Sequence, residues 1–183
     1  MLRAALFFAA SAAILPLSWR SLTNVRVHGF YRFFAFEMLL ALVLFNAPVW
    51  FSHPLAQRQL AAWFLAVVSI GLAIEGFRVL LIVGRPGPGA AQSTNLHFEN
   101  TTRLVTVGAY RWIRHPLYTS LLALAWDAWL KRPFELASIA LTLGATGFLF
   151  ATAIFEERES LNRFGSEYAN YMRTTERFIP FLL

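Results

Sequence analysis

Five apolar runs, at roughly residues 4–18, 33–51, 59–83, 116–130 and 134–155, constrain this chain more than any other feature. A bilayer core takes about 20 residues of helix to cross. Backbone exposed to lipid has no water to satisfy its amides, so runs of this length must be helices packed on one another. The expected fold class is an all-α integral membrane protein, a five-helix transmembrane bundle with a C-terminal amphipathic cytoplasmic helix. Composition agrees, because 57% apolar and 14% charged residues leave too little polar surface for a soluble globule of 183 residues. A single domain is expected: three N-terminal transmembrane helices in 1–83, a cytoplasmic loop at 84–115, a helical hairpin at 116–155 and a C-terminal helix and tail at 156–183.

The first run is short and carries Arg3, as a signal peptide would. No small-x-small cleavage site follows its core, so a retained helix is expected. The fourth and fifth runs meet across Leu130-Lys131-Arg132-Pro133, tight enough to make them antiparallel neighbours. Arginine supplies 15 of the 16 basic residues and is scattered between the runs. That scatter fits the positive-inside rule and argues against a nucleic-acid partner. Eleven basic residues fall in 19–32, 84–115 and 156–183, against Arg3, Arg58, Lys131 and Arg132 in the other connections. The bias predicts an N-terminus outside and a C-terminus in the cytoplasm.

Several features narrow the chemistry by exclusion. Cysteine is absent, which removes disulfides, thiolate nucleophiles and Cys-based metal sites. His28, His53 and His97 lack metal-ligand spacing and a nearby carboxylate pattern, and no metal site is expected. Gly84-Arg85-Pro86-Gly87-Pro88-Gly89 makes no GxGxxG fingerprint and reads as a flexible linker that continues to about Asn100. Asn100-Thr101-Thr102 fits a glycosylation sequon, unused on the cytoplasmic side. Within the helices, Glu75 and Arg78 are spaced to pair at i,i+3, and Asp127 and Lys131 at i,i+4. Glu37 has no such local partner, so it lines a cavity or hydrogen-bonds within the bundle.

The polar residues that remain gather at two boundaries. One is Gly108-Ala109-Tyr110-Arg111-Trp112-Ile113-Arg114-His115-Pro116-Leu117-Tyr118, and the other is Glu156-Glu157 at the end of the fifth run. They bracket one hydrophobic hairpin on one predicted face, and ionisable clusters at such a boundary mark functional sites. After them, Leu161, Phe164, Tyr168, Tyr171 and Met172 recur at helical spacing, with charges on other faces. This predicts an amphipathic helix over 156–175, bent at Gly165. It lies on the headgroups or folds over the hairpin as a lid, with Pro180 and Phe181-Leu182-Leu183 tucked back against the bilayer.

Arg114-His115-Pro116-Leu117-Tyr118 after Gly108-Ala109-Tyr110, then Glu156-Glu157, Phe164-Gly165, Tyr168, Tyr171 and Phe178-Ile179-Pro180, resemble the C-terminal signature of the isoprenylcysteine carboxyl methyltransferase family. Phospholipid N-methyltransferases are relatives of that family. The resemblance covers about residues 101–183 and implies S-adenosyl-L-methionine as cofactor at the cytoplasmic membrane face, with a lipophilic acceptor arriving from the bilayer. It implies cofactor contacts for Gly108, Tyr110, His115, Pro116, Tyr118, Glu156, Glu157, Tyr168, Tyr171 and Arg173. Ser120 stands where the family commonly has glycine, and is small enough for the same close approach. Arg114 is implied as a catalytic residue near the acceptor, with Glu157 as its catalytic companion.

Elementary chemistry is consistent with those roles. Methyl transfer from a sulfonium is an in-line displacement that needs no metal, only donor and acceptor aligned within about 3–3.5 Å and water excluded. Carboxylates at Glu156 and Glu157 complement a cationic cofactor, tyrosine faces sit against a cation, and Arg114 offers a bidentate fork. An amine or phenol acceptor also needs a base, for which His115 or Glu157 is placed. Adjacent glutamates on a helix point about 100° apart, so at least one of the two can simply face water. Two other readings stand beside this one: a nicotinamide-dependent membrane reductase of the sterol reductase type, whose C-terminal Arg-His-Pro-x-Tyr stretch is similar, and a non-catalytic membrane scaffold. The acceptor is open among a prenylated cysteine carboxylate, an ethanolamine lipid, a thiol and an alkylated phenol. Richness in Arg and Ala with a single Lys points to a GC-rich bacterial genome and hence to an inner membrane.

Overall fold

The computed structural model describes residues 1–85, 87, 96 and 99–182. Six helices follow in order: α1 (Leu2–Leu22), α2 (His28–Asn46), α3 (Gln57–Ile82), α4 (Pro116–Lys131), α5 (Leu136–Phe164) and α6 (Ser166–Thr174). Ile113 and Glu176 form an isolated parallel β-bridge. The protein is thus an all-α membrane protein, and α1, α2, α3 and α5 are long and apolar enough to cross a bilayer.

The expected five-helix transmembrane bundle is borne out in part: four helices among the described residues are long enough to span, and α4 is the short one. Its 16 residues rise only about 24 Å, against a hydrocarbon core of about 30 Å. Pro116 fixes its start as a first helical residue, and Arg132-Pro133 stops it. Half its length is buried, including Tyr118, Ala123, Ala125, Asp127 and Ala128. It is the interior helix, packed chiefly on α3 and also on α5 and α2. α5 in turn packs chiefly on α2, so each helix of the expected hairpin has a larger partner elsewhere.

Lipid is as apolar as leucine, so helices in a membrane are drawn together by close packing rather than by water exclusion. Small residues occupy the contacts accordingly: Ala35, Ala125, Ala128, Ala145 and Ala153 are fully buried beside Leu42 and Leu149. Large apolar side chains face outward, among them Phe64, Val67, Ile70 and Ile74 on α3. Peripheral α1 buries only Ser18 and Ser21, and Ser11 ties it to α2 by donating to Glu37 Oε2 at 2.6 Å. The bundle bond expected for Glu37 is therefore present. The expected Glu75–Arg78 pair does not form among the described residues; Glu75 faces Gly108, whose φ of +64° turns the chain where a Cβ would strike that carboxylate.

At one end of the bundle Asp127 and Lys131 pair at 3.0 Å with both side chains fully buried. The Lys131 ammonium lies 3.8 Å from the Trp63 ring centroid and 5.3 Å from that of Trp50. At the other end the α1–α2 connection, residues 99–115 and the C-terminal segment come together. The tail is stitched to the 112–115 segment, where Arg114 N donates to Glu176 O at 2.7 Å, Glu176 N to Trp112 O at 3.2 Å and His115 N to Arg177 O at 3.2 Å. Phe178 then plugs the core, 2% exposed, against Phe150 and His115.

The amphipathic segment expected over 156–175 is two pieces. α5 continues unbroken to Phe164, the chain breaks at Gly165 (φ +56°, ψ −127°), and α6 begins at Ser166. Pro180, Phe181 and Leu182 are exposed, and Phe181 meets Trp112 edge-on at 5.9 Å. Much of the linker expected between Gly84 and Asn100, and His97, lies outside the described residues.

Candidate active site

A cavity of about 230 Å³ opens where α2, α3, α4 and the end of α5 converge. Its inner wall is apolar, formed by Phe36, Ala73, Phe77, Leu80, Leu117 and Leu121. Its outer wall is polar. Tyr110, Arg114, His115, Tyr118, Ser120 and Glu156 reach it from the sequence motif, and His28, Arg32, Glu99, Glu159 and Arg163 complete it.

The motif is shaped by backbone bonds. A 3-10 turn at Gly108–Arg111 delivers Tyr110, whose carbonyl accepts from the Tyr171 hydroxyl at 2.6 Å. His115 caps α4, its carbonyl accepting from Thr119 N at 2.9 Å and Thr119 Oγ1 at 3.0 Å. Its ring stacks on Tyr118 at 5.4 Å and 15°. Ser120 turns its hydroxyl to the Leu117 carbonyl at 2.6 Å, and its own carbonyl accepts from Ser69 on α3 at 2.7 Å. Pro116 shapes the helix start and is buried.

The two glutamates divide as helical geometry requires. Glu156 faces the cavity with one oxygen, Oε2, buried and without a hydrogen-bond partner; the His115 ring stands beside it, Nδ1 at 3.8 Å, and the carboxylate lies within reach of the Tyr118 hydroxyl. Glu157 lies behind the wall. It accepts from Arg114 Nε at 2.8 Å and from Arg177 Nη2 at 2.7 Å, with His115 Nε2 3.4 Å away. Arg114 also donates Nη1 to the carbonyls of Thr175 and, at 3.3 Å, Met172. The arginine, the glutamate and the tail form one buried clamp. Arg177 is held yet more firmly protonated by its bond to Glu157.

Of the other expected residues, Tyr168 and Tyr171 are buried edge-to-face at 5.8 Å behind the cavity. Arg173 is exposed on α6. Burial, with the Glu156 charge second, pushes the Tyr110 and Tyr168 hydroxyls far above their usual range; burial does the same to Tyr171. All three stay protonated, and Tyr171 donates to the Tyr110 carbonyl. Of the 156–175 segment expected either on the headgroups or as a lid, the part that lies in the last turns of α5 lines the cavity through Glu159, Ser160, Arg163 and Phe164.

Sequence reasoning missed the contribution of α2 and Glu99. His28 Nδ1 meets Glu159 at 2.8 Å and its Nε2 meets Glu99 at 3.3 Å. Arg32, 1% exposed, donates Nη1 to the Glu99 carboxylate. Burial alone would raise the Glu99 carboxyl, but His28 and Arg32 draw it down to about 2. The signal available was His28 and Arg32 one turn apart at the head of an apolar run, an expensive place for charge unless partnered.

Comparison with known proteins identifies the family. The sequence pattern of the Isoprenylcysteine carboxyl methyltransferase (ICMT) family matches residues 67–163. A probable protein-S-isoprenylcysteine O-methyltransferase of Oryza sativa subsp. indica is 30% identical over 122 residues, 66% of this chain and 63% of that protein's length. Protein-S-isoprenylcysteine O-methyltransferase A of Arabidopsis thaliana is 26% identical over 188 residues, covering 100% of this chain and 92% of that one. A methanethiol S-methyltransferase of Mycobacterium tuberculosis is 32% identical over 72 residues, 39% of this chain and 28% of that protein. No solved structure matches. The family match covers the cavity-lining stretches of α3, α4 and α5 together with the motif between them, and the chain belongs to the isoprenylcysteine carboxyl methyltransferase family.

Proposed function

We propose that the protein is an S-adenosyl-L-methionine-dependent methyltransferase acting on a lipophilic acceptor held in the membrane. The observation that carries this is Glu156 Oε2, a buried carboxylate oxygen without a hydrogen-bond partner, facing a cavity whose inner wall is apolar. A cationic cofactor with hydrogen-bond donors fits that oxygen. S-adenosyl-L-methionine supplies an electrophilic methyl group on a sulfonium centre. Tyr110, His115, Tyr118 and Glu156 would hold it, with Ser120 giving room beside α3.

The chain's own residues do the positioning. Glu157 and the Thr175 carbonyl fix the Arg114 guanidinium, so that its plane enters the cavity wall in one orientation. Tyr110 donates from a hydroxyl that burial keeps protonated. Phe36, Phe77 and Leu121 exclude water and receive the apolar part of the acceptor. Orientation of this kind supplies most of the catalysis for a displacement that needs no metal. Relatives are named for an isoprenylated cysteine and for methanethiol, so acceptors from a lipidated carboxylate to a thiol lie within the reading.

Within the membrane, α4 is proposed to cross together with α5, with the polar mouth on the cytoplasmic side, α6 beside it and the N-terminus outside. The basic residues of 19–32, 84–115 and 156–183 support that orientation. Calorimetric titration with S-adenosyl-L-methionine and with NADPH tests the reading. Micromolar affinity for the first and none for the second is expected; the reverse would favour the reductase alternative. Transfer of an isotopically labelled methyl group into membrane extracts would then identify the acceptor.

A further inference from the structure

A second concavity, a groove of about 600 Å³, shares no lining residue with the cavity. α6 and the C-terminal tail form one side of it, and residues 104–112 the other. Charges of both signs line it. Arg111, Glu167 and Glu176 are exposed, and none of the three forms an ion pair among the described residues. Opposite charges that share a groove yet stay unpaired leave room for a ligand carrying both signs. One edge is apolar: Trp112 is 49% exposed and Phe181 83%, and they meet edge-on at 5.9 Å. The Arg111 guanidinium stands 5.4 Å from the Trp112 ring centroid.

That edge lies at the depth of the lipid surface. Gly108 packs on α3 where an added Cβ would meet Glu75 and Val79, and α3 keeps large apolar side chains outward beyond that level, at Leu81 and Ile82. Residues 108–112 therefore leave α3 before its lipid-facing stretch ends. An exposed Trp beside an Arg at such a level is the composition of a membrane interface. We propose that the groove binds the headgroup of an ethanolamine phospholipid from the surrounding leaflet. Its phosphate meets Arg111, its ammonium meets the carboxylates of Glu167 and Glu176, and its acyl chains leave past Trp112 and Phe181 into the bilayer. A primary ammonium donates charged hydrogen bonds to carboxylates, whereas a choline headgroup has no N–H and a glycerol headgroup has no cation.

Two buried residues carry the effect of a bound lipid to the cavity. Tyr171 and Thr175 line the groove and are tied to each other, Thr175 Oγ1 donating to the Tyr171 carbonyl at 2.7 Å. The Tyr171 hydroxyl donates to the Tyr110 carbonyl at 2.6 Å, and the Thr175 carbonyl accepts from Arg114. Tyr110 and Arg114 both line the cavity. A headgroup that joins Arg111 to Glu167 on α6 and Glu176 on the tail braces these bonds from outside. Lipid composition then sets how firmly the cavity wall is held, and the lipid itself stays clear of Glu156.

The test places the full-length protein in nanodiscs of dioleoylphosphatidylcholine, alone or mixed equally with the ethanolamine or the glycerol phospholipid of the same chains. Two quantities are read: hydrogen exchange of residues 110–114 and 171–176, and the lipids retained on release into detergent, counted by native mass spectrometry. The ethanolamine lipid should be retained over the other two by about threefold, the scale of one partly exposed ion pair, and should slow exchange by a similar factor. Glu167→Gln combined with Glu176→Gln should abolish that preference and leave the other two lipids as they were. Arg111→Gln should lower retention of all three, since each carries the phosphate. Equal retention of the three lipids by the wild type would overturn the proposal, and so would a preference that survives the double glutamate variant. Stronger retention of the glycerol lipid would assign the groove to a phosphate alone and overturn it as well. Preferred retention without slower exchange would sink the link to Tyr110 and Arg114. Neither readout uses a cofactor or an acceptor, so the result is independent of the methyltransferase reading.

Discussion

Glu156 and Glu157 are neighbours in sequence and opposites in role, because a helix turns about 100° between them. Their variants should separate cleanly. Glu156→Gln removes a charge that no Arg or Lys among the described residues pairs with, and glutamine keeps an oxygen for the Tyr118 hydroxyl, so stability should hold within about 0.5 kcal/mol. Cofactor affinity should fall by about 1.5–3 kcal/mol, the scale of a charged hydrogen bond. Glu157→Gln leaves Arg114 buried without its carboxylate, and thermal or denaturant unfolding should show a loss of about 3–5 kcal/mol. A Glu156 variant that unfolds, or a Glu157 variant that loses only affinity, would reverse the assignment. Arg114→Lys keeps the charge but has a single point of donation. It cannot reach Glu157 and the Thr175 carbonyl together, so hydrogen exchange at residues 175–178 should accelerate by an order of magnitude or more. The motif residues were legible in the sequence because ionisable side chains at the ends of apolar runs are rare. Their partners were less so: which glutamate faces the cavity depends on helix phase, and the pairing of Arg32 with Glu99 spans residues that share no local pattern.

The elements show how far apolar length predicts a helix and where it fails. Runs rich in Leu, Ala and Phe marked all five long helices, but their ends moved. α2 begins at His28, inside a stretch read as a connection, because Glu159 accepts both the His28 backbone N–H and its ring nitrogen at 2.8 Å. α5 passes its last apolar residues and carries Glu156 to Arg163 as helix, since that face looks into the site rather than into lipid. Gly165 ends it in a conformation strained for any residue with a Cβ. Gly165→Ala meets no atom within 4 Å, so its cost is conformational, about 1–3 kcal/mol. The expected phenotype is lowered thermal stability with α6 released from Tyr110, seen as faster exchange across Ser166–Thr174. Unchanged stability would mean that the turn between α5 and α6 tolerates another geometry.

At the scale of the whole molecule, the bundle gathers three separate stretches at one end and ties them by charge. Glu99 is the tie most sensitive to acid. Its carboxyl is drawn down to about 2 from an ordinary 4.5, and a depressed carboxylate stabilises above its unfolded value and loses that contribution as pH falls through the folded one. The anchoring of residues 99–103 should therefore be intact at neutral pH and down to about 4.5, then weaken toward pH 2. Hydrogen exchange of that segment, corrected for intrinsic rates, measures it; loosening already at pH 6 would contradict the pairing. Reporter fusions address sidedness: residues 84–115 and the C-terminus should report the same compartment. The apolar runs marked α1 to α5, and the shortness of the fourth was readable in its span of 116–130. That it sits inside the others was not, because composition does not say which helix the rest will surround.

That short helix has a consequence for where the two reactants meet. With Lys131 and Asp127 pinned among Trp50 and Trp63 at one end, 16 residues bring Pro116 only about 24 Å along the bundle axis. If α4 crosses as proposed, with Lys131 and Asp127 at one edge of a 30 Å hydrocarbon layer, His115 and Arg114 come to rest about 6 Å short of the other edge. A water-borne reactant must descend below the lipid headgroups to reach them, while one dissolved in the acyl chains meets them without surfacing. On the proposed reading, the protein moves the aqueous boundary inward, so that a greasy acceptor would react at its own depth without being lifted into water.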